Sequence, residues 1–75
     1  MSLTSSIAEV LGCDPDALTE NSGRATNDRW DSLAHLNVIS AIEETYDVVL
    51  SSSEMRDGNN IGVLRSLLLA KGISA

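Results

Sequence analysis

The 75-residue sequence contains one cysteine, Cys13, and one histidine, His35. A lone cysteine cannot form an internal disulfide, and cysteine-based zinc sites need several ligands. His35 has no second candidate ligand at metal-binding spacing, so we expect no metal site. A reducing cytoplasm is the expected compartment for a chain with this cysteine usage.

Aromatic residues are nearly absent, with one Trp, one Tyr and no Phe. The core must therefore be built from aliphatic side chains. A chain this small buries only about 60% of the surface that it exposes when unfolded. Because little room is left for a buried active site, the composition favours a scaffold, a binder or a carrier.

Basic residues are also scarce: 5 Lys and Arg face 11 Asp and Glu, which gives a net charge of −6. Nucleic acids and anionic lipids both attract basic surfaces. We therefore expect neither nucleic acid nor a membrane as a partner. The longest unbroken apolar run, residues 67–70, is far too short to cross a bilayer. Residues 1–6 carry no positive charge of the kind that begins a signal peptide.

Helical spacing of apolar residues dominates the sequence, and no useful stretch alternates as a strand does. Residues 51–57 are expected to form one short helical turn with Met55 facing inward. A long polar loop over 12–31 carries only Leu18 and Trp30 as large apolar residues, which we expect to pin it to the helices. The main helices are predicted at residues 3–11, 32–46 and 61–71.

The first and last predicted helices have typical capping residues at both ends. Ser2 and Asn60 are the predicted N-caps, since their side chains can accept a hydrogen bond from a free N–H of the first turn. Gly12 and Gly72 follow the last helical residues, where a left-handed conformation often stops a helix.

These elements predict an all-α fold, a small bundle of three main helices plus one short helix, with a long loop between the first and second helix. Residues 1–75 are expected to form a single domain and a monomer. The expected core comprises Leu3, Ile7, Val10, Leu11, Leu18, Leu36, Ile39, Ile42, Tyr46, Leu50, Ile61, Leu64 and Leu68.

The second helix has an apolar residue on its polar side. Leu33 projects onto the stripe of Asn37, Ser40 and Glu44, opposite the core face. A single exposed leucine is common on protein surfaces and needs no explanation. It is equally a candidate contact for a partner protein.

A serine lies at the start of this second helix. By the usual preference for Asp and Ser at helix starts, Asp31 or Ser32 caps the helix. The same place suits a phosphate, because free N–H groups and the positive end of the helix dipole favour an anion. A phosphodiester on the Ser32 hydroxyl would be exposed, since junctions of this kind lie at the surface. The residues alone leave both interpretations open.

Nearly the whole sequence resembles the acyl carrier protein family. The shared features are the acidic total, the long first loop, Trp30-Asp31-Ser32-Leu33 opening the second helix, Ser40-Ala41-Ile42-Glu43-Glu44-Thr45-Tyr46 closing it, a minor helix near residues 53–57, and Asn60-Ile61 starting the last helix. An Asp-Ser-Leu start and a Glu-Glu-x-aromatic end on one helix of an acidic chain are a fairly specific combination.

The resemblance implies that a phosphopantetheinyl transferase esterifies Ser32 with 4′-phosphopantetheine from coenzyme A. The thiol of this arm would carry an acyl group as a thioester and present it to loading enzymes and to downstream transferases or synthases. Ser32 would then be an attachment point in a stand-alone carrier, not a catalytic residue of an enzyme. In the family the exposed face of this helix docks partners, which here nominates Asp31, Leu33, Asn37, Ser40 and Glu44.

The sequence departs from carriers of primary fatty acid synthesis at several positions. Trp30 replaces a small residue, Ser51 stands where proline is common, and Asn37 and Ser40 replace acidic and apolar residues. These changes favour a small acyl, hydroxyacyl or aminoacyl cargo in a specialised pathway over a long fatty acyl chain. An aminoacyl, peptidyl or D-alanine carrier is an alternative, although peptidyl carriers usually have Gly-His-Ser before the second helix. An unmodified helical interaction module is a second alternative.

Overall fold

Four α-helices and one 3₁₀ turn make up the computed structural model, which describes residues 2–74. No β-strand occurs within this range. Gly23 and Asn60 form one isolated antiparallel β-bridge there. The predicted all-α bundle with one short helix is therefore confirmed. No helix within residues 2–74 is both long and apolar enough to span a membrane. In chain order the helices are α1 (Leu3–Leu11), the 3₁₀ turn (Pro15–Ala17), α2 (Ser32–Tyr46), α3 (Ser52–Asp57) and α4 (Ile61–Ala70).

The predicted caps close the first and last helices. The Ser2 hydroxyl accepts a hydrogen bond from the backbone N–H of Ser5 at 3.1 Å, and Gly12 ends α1 in the left-handed region with φ of 70°. Asn60 Oδ1 accepts from the N–H of Val63 at 2.8 Å to begin α4. Gly72 has φ of 82° beyond the end of α4, which stops at Ala70, one residue earlier than predicted.

The loop between α1 and α2 contains a 3₁₀ turn that the spacing of apolar residues did not predict. Asp14 accepts a hydrogen bond from the N–H of Asp16 at 2.9 Å, and Pro15 occupies the first position of the turn, where its missing N–H costs nothing. Leu18 and Trp30 are both buried, so the prediction that they pin the loop is confirmed.

The same loop is also fastened to the start of α4. The N–H of Ile61 donates to the carbonyl of Ser22 at 3.0 Å, and the N–H of Gly62 donates to the carbonyl of Glu20 at 2.9 Å. The Arg65 guanidinium forms a salt bridge with Glu20 at 3.0 Å. These contacts satisfy the N–H groups in the first turn of α4, which a helix leaves without internal partners, and hold the polar loop against the bundle.

The short helix α3 is closed by a reciprocal capping box. Ser51 accepts from the N–H of Glu54, whose carboxylate accepts from the Ser51 N–H at 2.9 Å. Lys71 contacts the same carboxylate at 3.0 Å. The Ser51 N–H and then the Lys71 ammonium hold the pKa of Glu54 below its usual 4.5. Met55 is half-buried against the core, as predicted.

The core lies between the helices and is almost wholly aliphatic, as the composition predicts. Each large apolar side chain that is fully buried contributes roughly 1.5–3 kcal/mol to the stability of the fold. The buried apolar residues of the core are Leu3, Ile7, Ala8, Leu11, Leu18, Trp30, Val38, Ile39, Ile42, Leu50, Ile61, Leu64 and Leu68.

The prediction that Leu36 belongs to the core is wrong: its side chain is 61% exposed. The buried face of α2 is instead centred on His35, Val38 and Ile42. A polar histidine does not count toward an apolar face, so the spacing of apolar residues alone rotates the predicted face toward Leu36. Two further predicted core residues, Val10 and Tyr46, are half-buried at its edge.

Candidate functional site

Ser32 is the first residue of α2 and is exposed. The N-cap is Asp31, whose Oδ1 accepts a hydrogen bond from the N–H of Ala34 at 2.8 Å. The cap and the hydroxyl at the helix start are therefore two different side chains. Because Asp31 supplies the helix cap, the Ser32 hydroxyl is not required for that role and is available to an incoming reagent.

Within residues 2–74 the Ser32 hydroxyl has one hydrogen-bond partner, Arg24, which the sequence does not predict. Nη2 of Arg24 donates a hydrogen bond to Ser32 Oγ at 2.8 Å. The two residues are eight positions apart, and the intervening loop has no regular structure that relates them. The one available signal was an arginine shortly before the second helix of an acidic chain.

Arg24 is positioned by close contact between two loops. Its N–H donates to the carbonyl of Asn59 at 3.0 Å. Residue 23 must be glycine, since a Cβ at Gly23 would overlap the Asn59 carbonyl oxygen and would lie 2.6 Å from Cβ of Asn60. The connection before α4 thus fixes the backbone from which Arg24 reaches Ser32.

A cavity of about 440 Å³ opens beside Ser32. The long loop, the start of α2, α3 and the connection before α4 all contribute to its wall. Two of its lining side chains are guanidinium groups and one is a carboxylate. The lining residues are Arg24, Ala25, Trp30, Asp31, Ser32, Arg56 and Asn59.

A hydrogen-bonded group lies under this cavity. Trp30 is 1% exposed, and its indole N–H donates to Nδ1 of His35 at 2.9 Å. Since an indole N–H can only donate, Nδ1 must accept, and the ring proton lies on Nε2. Nε2 then donates to the carbonyl of Met55 at 2.7 Å. The three residues join the loop, α2 and α3.

The residues nominated as partner contacts lie on the exposed side of α2. Leu33 is 69% exposed, as predicted. Leu36 lies on the flank of the same helix and adds a second exposed leucine to this surface. The remaining nominated residues are also exposed: Asp31, Asn37, Ser40 and Glu44. Their role in docking stays a prediction.

No group of three or more His, Cys, Asp or Glu side chains within residues 2–74 could hold a metal ion. Cys13 is free and half-buried in the first loop. The single histidine, His35, is fully engaged by Trp30 and Met55. The described part of the chain therefore offers the Ser32 hydroxyl no neighbouring imidazole base.

Comparison with known proteins identifies the class. Neither the protein-family models nor the curated protein sequences give a match. Among solved structures, the chain is similar to the solution structure of the holo acyl carrier protein from Geobacter metallireducens. The two are 32% identical, and the match covers 93% of this chain and 84% of the other, with a TM-score of 0.79.

The chain belongs to the acyl carrier protein family. It is accordingly a carrier protein, not an enzyme. The resemblance stated from the sequence is confirmed at the level of family and fold.

Proposed function

We propose that residues 1–75 form one carrier domain in which Ser32 bears 4′-phosphopantetheine. The observation that carries this proposal is the exposed hydroxyl at the first residue of α2, beside an open cavity and next to a helix already capped by Asp31. The residues fit the group: Oγ is accessible, and Arg24 supplies a cation at 2.8 Å. When bound, the arm supplies a terminal thiol that holds an acyl group as a thioester.

The attachment reaction needs a partner enzyme. The Ser32 oxygen attacks the phosphorus of coenzyme A that bears the pantetheine, forming an O–P bond and breaking the diphosphate P–O bond. Adenosine 3′,5′-bisphosphate leaves, and the serine proton passes to a base. Because both nitrogens of His35 are occupied, that base comes from the phosphopantetheinyl transferase.

The exposed side of α2 is the proposed docking surface for the transferase, for loading enzymes and for downstream transferases or synthases. Leu33 and Leu36 offer apolar contact area within one turn of Ser32. Further along the helix, Glu44 keeps an acidic charge that favours a basic patch on the partner. Asn37 and Ser40 lie between these two parts and provide neutral polar contacts.

The proposed cargo is a small acyl, hydroxyacyl or aminoacyl unit of a specialised pathway. A long chain entering the bundle beneath Ser32 would have to displace Trp30 and part the hydrogen bond from His35 to Met55. Leaving these buried polar groups unpaired would offset much of the gain from burying the chain.

We place the carrier in the cytoplasm, in keeping with the free Cys13.

The cargo is tested by loading Ser32 with arms that carry a short or a long acyl group and comparing backbone amide chemical shifts. With both arms, shifts should be confined to the loop and the start of α2. Large shifts at core residues such as Ile39 and Leu64 with the long arm alone would contradict the small-cargo proposal.

The attachment is tested by intact mass spectrometry after incubation with coenzyme A and a broad-specificity phosphopantetheinyl transferase. Wild type should gain the mass of one arm, and Ser32→Ala should gain none. Ser52→Ala is the matched control, since Ser52 is also an exposed serine at the first position of a helix. It should load as wild type does. A wild type that gains no mass would favour the unmodified interaction module.

A further inference from the structure

The five Lys and Arg side chains differ in their binding partners. Arg65 and Lys71 form salt bridges with carboxylates at 3.0 Å. Arg29 donates to main-chain carbonyls at the end of α1 at 3.4 Å. The remaining two, Arg24 and Arg56, form no salt bridge with any residue in the range 2–74. Both line the Ser32 cavity.

Two guanidinium groups thus line one cavity in a chain whose net charge is −6. The only hydrogen bond that the Arg24 side chain makes within residues 2–74 is the one to Ser32 Oγ. Arg56 approaches from α3 and makes no side-chain hydrogen bond within the same range. Neither guanidinium is used to stabilise the described fold beyond that one contact.

We propose that Arg24 and Arg56 bind the phosphodiester that joins the arm to Ser32. The inference rests on the proposed function, because the phosphodiester exists only after Ser32 is modified. Arg24, which already contacts Ser32 Oγ, would bind the phosphodiester, and Arg56, which lines the same cavity from α3, would supply a second cation. The pair thereby orients the first segment of the arm over the cavity.

The chemistry of the guanidinium group favours this arrangement. It presents five N–H donors in a planar fork that matches phosphate oxygens, and the contact to Ser32 uses only one of them. A bond from guanidinium to a phosphate oxygen joins two opposite charges and can be bidentate, so it is stronger than the present bond to a neutral hydroxyl.

The charge balance at the cavity points the same way. The carboxylate of Asp31 lies in the cavity wall and repels an anion on the adjacent serine. Two guanidinium groups against one carboxylate leave the cavity with a positive balance. The positive charges of the two arginines thus offset the repulsion between the phosphodiester and the capping aspartate.

The direct test is NMR spectroscopy of the arginine Nε–H signals in wild-type protein before and after attachment of the arm. The signals of Arg24 and Arg56 should shift on attachment. The signal of Arg29, which lies outside the cavity lining, should keep its position. Unchanged Arg24 and Arg56 signals in protein shown by mass to carry the arm would overturn the inference and leave the proposed function intact. Absence of the mass gain itself would overturn the proposed function.

Variants give a second readout. Attachment of the arm should raise the folding equilibrium constant of wild type by a larger factor than that of Arg24→Gln or Arg56→Gln. The two factors should differ about threefold, as expected for an exposed ion pair. This difference should disappear at 1 M salt, where screening is strong. Arg29→Gln is the matched control and should show the wild-type increment. Equal increases in the folding equilibrium constant of all four proteins would contradict binding of the phosphodiester by Arg24 and Arg56.

Discussion

The indole N–H of Trp30 donates to Nδ1 of His35 at 2.9 Å, so the two rings meet edge to edge with their centroids 6.1 Å apart. Both rings are buried, and Trp30 lines the cavity beside the exposed Ser32. Through the second ring nitrogen of His35 the contact continues to the carbonyl of Met55 in α3. The floor of the site is therefore a fully hydrogen-bonded polar group within an otherwise aliphatic core.

Removing the indole donor should destabilise the fold. Trp30→Phe leaves Nδ1 of His35 buried without a partner and also removes ring volume from the core. The expected cost is about 2–4 kcal/mol in the free energy of unfolding, from the unsatisfied acceptor and the smaller ring. Urea unfolding followed by circular dichroism measures it, since the variant lacks the only tryptophan of the chain.

The double variant Trp30→Phe/His35→Leu separates the hydrogen bond from the packing. In the double variant only the half-buried Met55 carbonyl loses a partner, whereas each single variant also strands one member of the Trp30–His35 hydrogen bond. The double variant should therefore lose less stability than the two single variants summed. Strict additivity would contradict an energetic link between Trp30 and His35.

Tyr46 presents the opposite case. Its hydroxyl oxygen is buried and finds no hydrogen-bond partner within residues 2–74, although the ring packs against the core. Tyr46→Phe keeps the ring and removes the unsatisfied group, so the free energy of unfolding should rise by about 1 kcal/mol. Chemical denaturation checks this. A loss of stability would mean that the hydroxyl has a bonding partner in solution.

The capping box of α3 should make stability depend on pH in the acid range. The pKa of Glu54 is held below 4.5 by the Ser51 N–H and the Lys71 ammonium, so its carboxylate stabilises the fold above the unfolded value. This contribution is lost as the pH falls through the lower, folded pKa. Glu54→Gln should therefore melt below wild type at neutral pH, and the gap should close below about pH 4.5.

Thermal melts from pH 7 down to pH 3 measure the two curves. Lys71→Met should reproduce part of the loss at neutral pH, since Glu54 is then held by Ser51 alone. A gap between wild type and Glu54→Gln that stays constant over this range would contradict the role of the charge.

The exposed leucine next to the modification site should matter for partners and not for folding. Leu33→Ala should lower kcat/KM for loading by the phosphopantetheinyl transferase about tenfold, the loss expected for a central apolar contact of an interface. Its melting temperature should match wild type, because Leu33 is 69% exposed. Val49→Ala is the control, since Val49 is 82% exposed but lies in the segment after α2. Equal loading rates for both variants would remove Leu33 from the docking surface.

Local signals account for the parts of the fold that the sequence predicts well. The bounds of α1 and α2 agree with prediction because their caps, Ser2, Gly12 and Asp31, act within one helical turn. The position of Ser32 at the start of α2 follows from the same local chemistry.

Long-range contacts account for what could not be predicted. Burial of His35 depends on Trp30 arriving from the loop and on Met55 arriving from α3, and it leaves Leu36 exposed. The contact of Arg24 with Ser32 depends on a loop held by the connection before α4. No periodicity in a single segment encodes either arrangement.

The central claim is that the Ser32 oxygen carries the arm, and the most direct measurement is the position of the added mass in loaded wild-type protein. Trypsin cleavage after Arg29 and Arg56 releases residues 30–56, which contain Ser32 together with the serines at 40 and 51–53. Tandem mass spectrometry of this peptide should assign the whole phosphopantetheine mass to Ser32. Its assignment to another serine, or its absence from this peptide, would contradict the account.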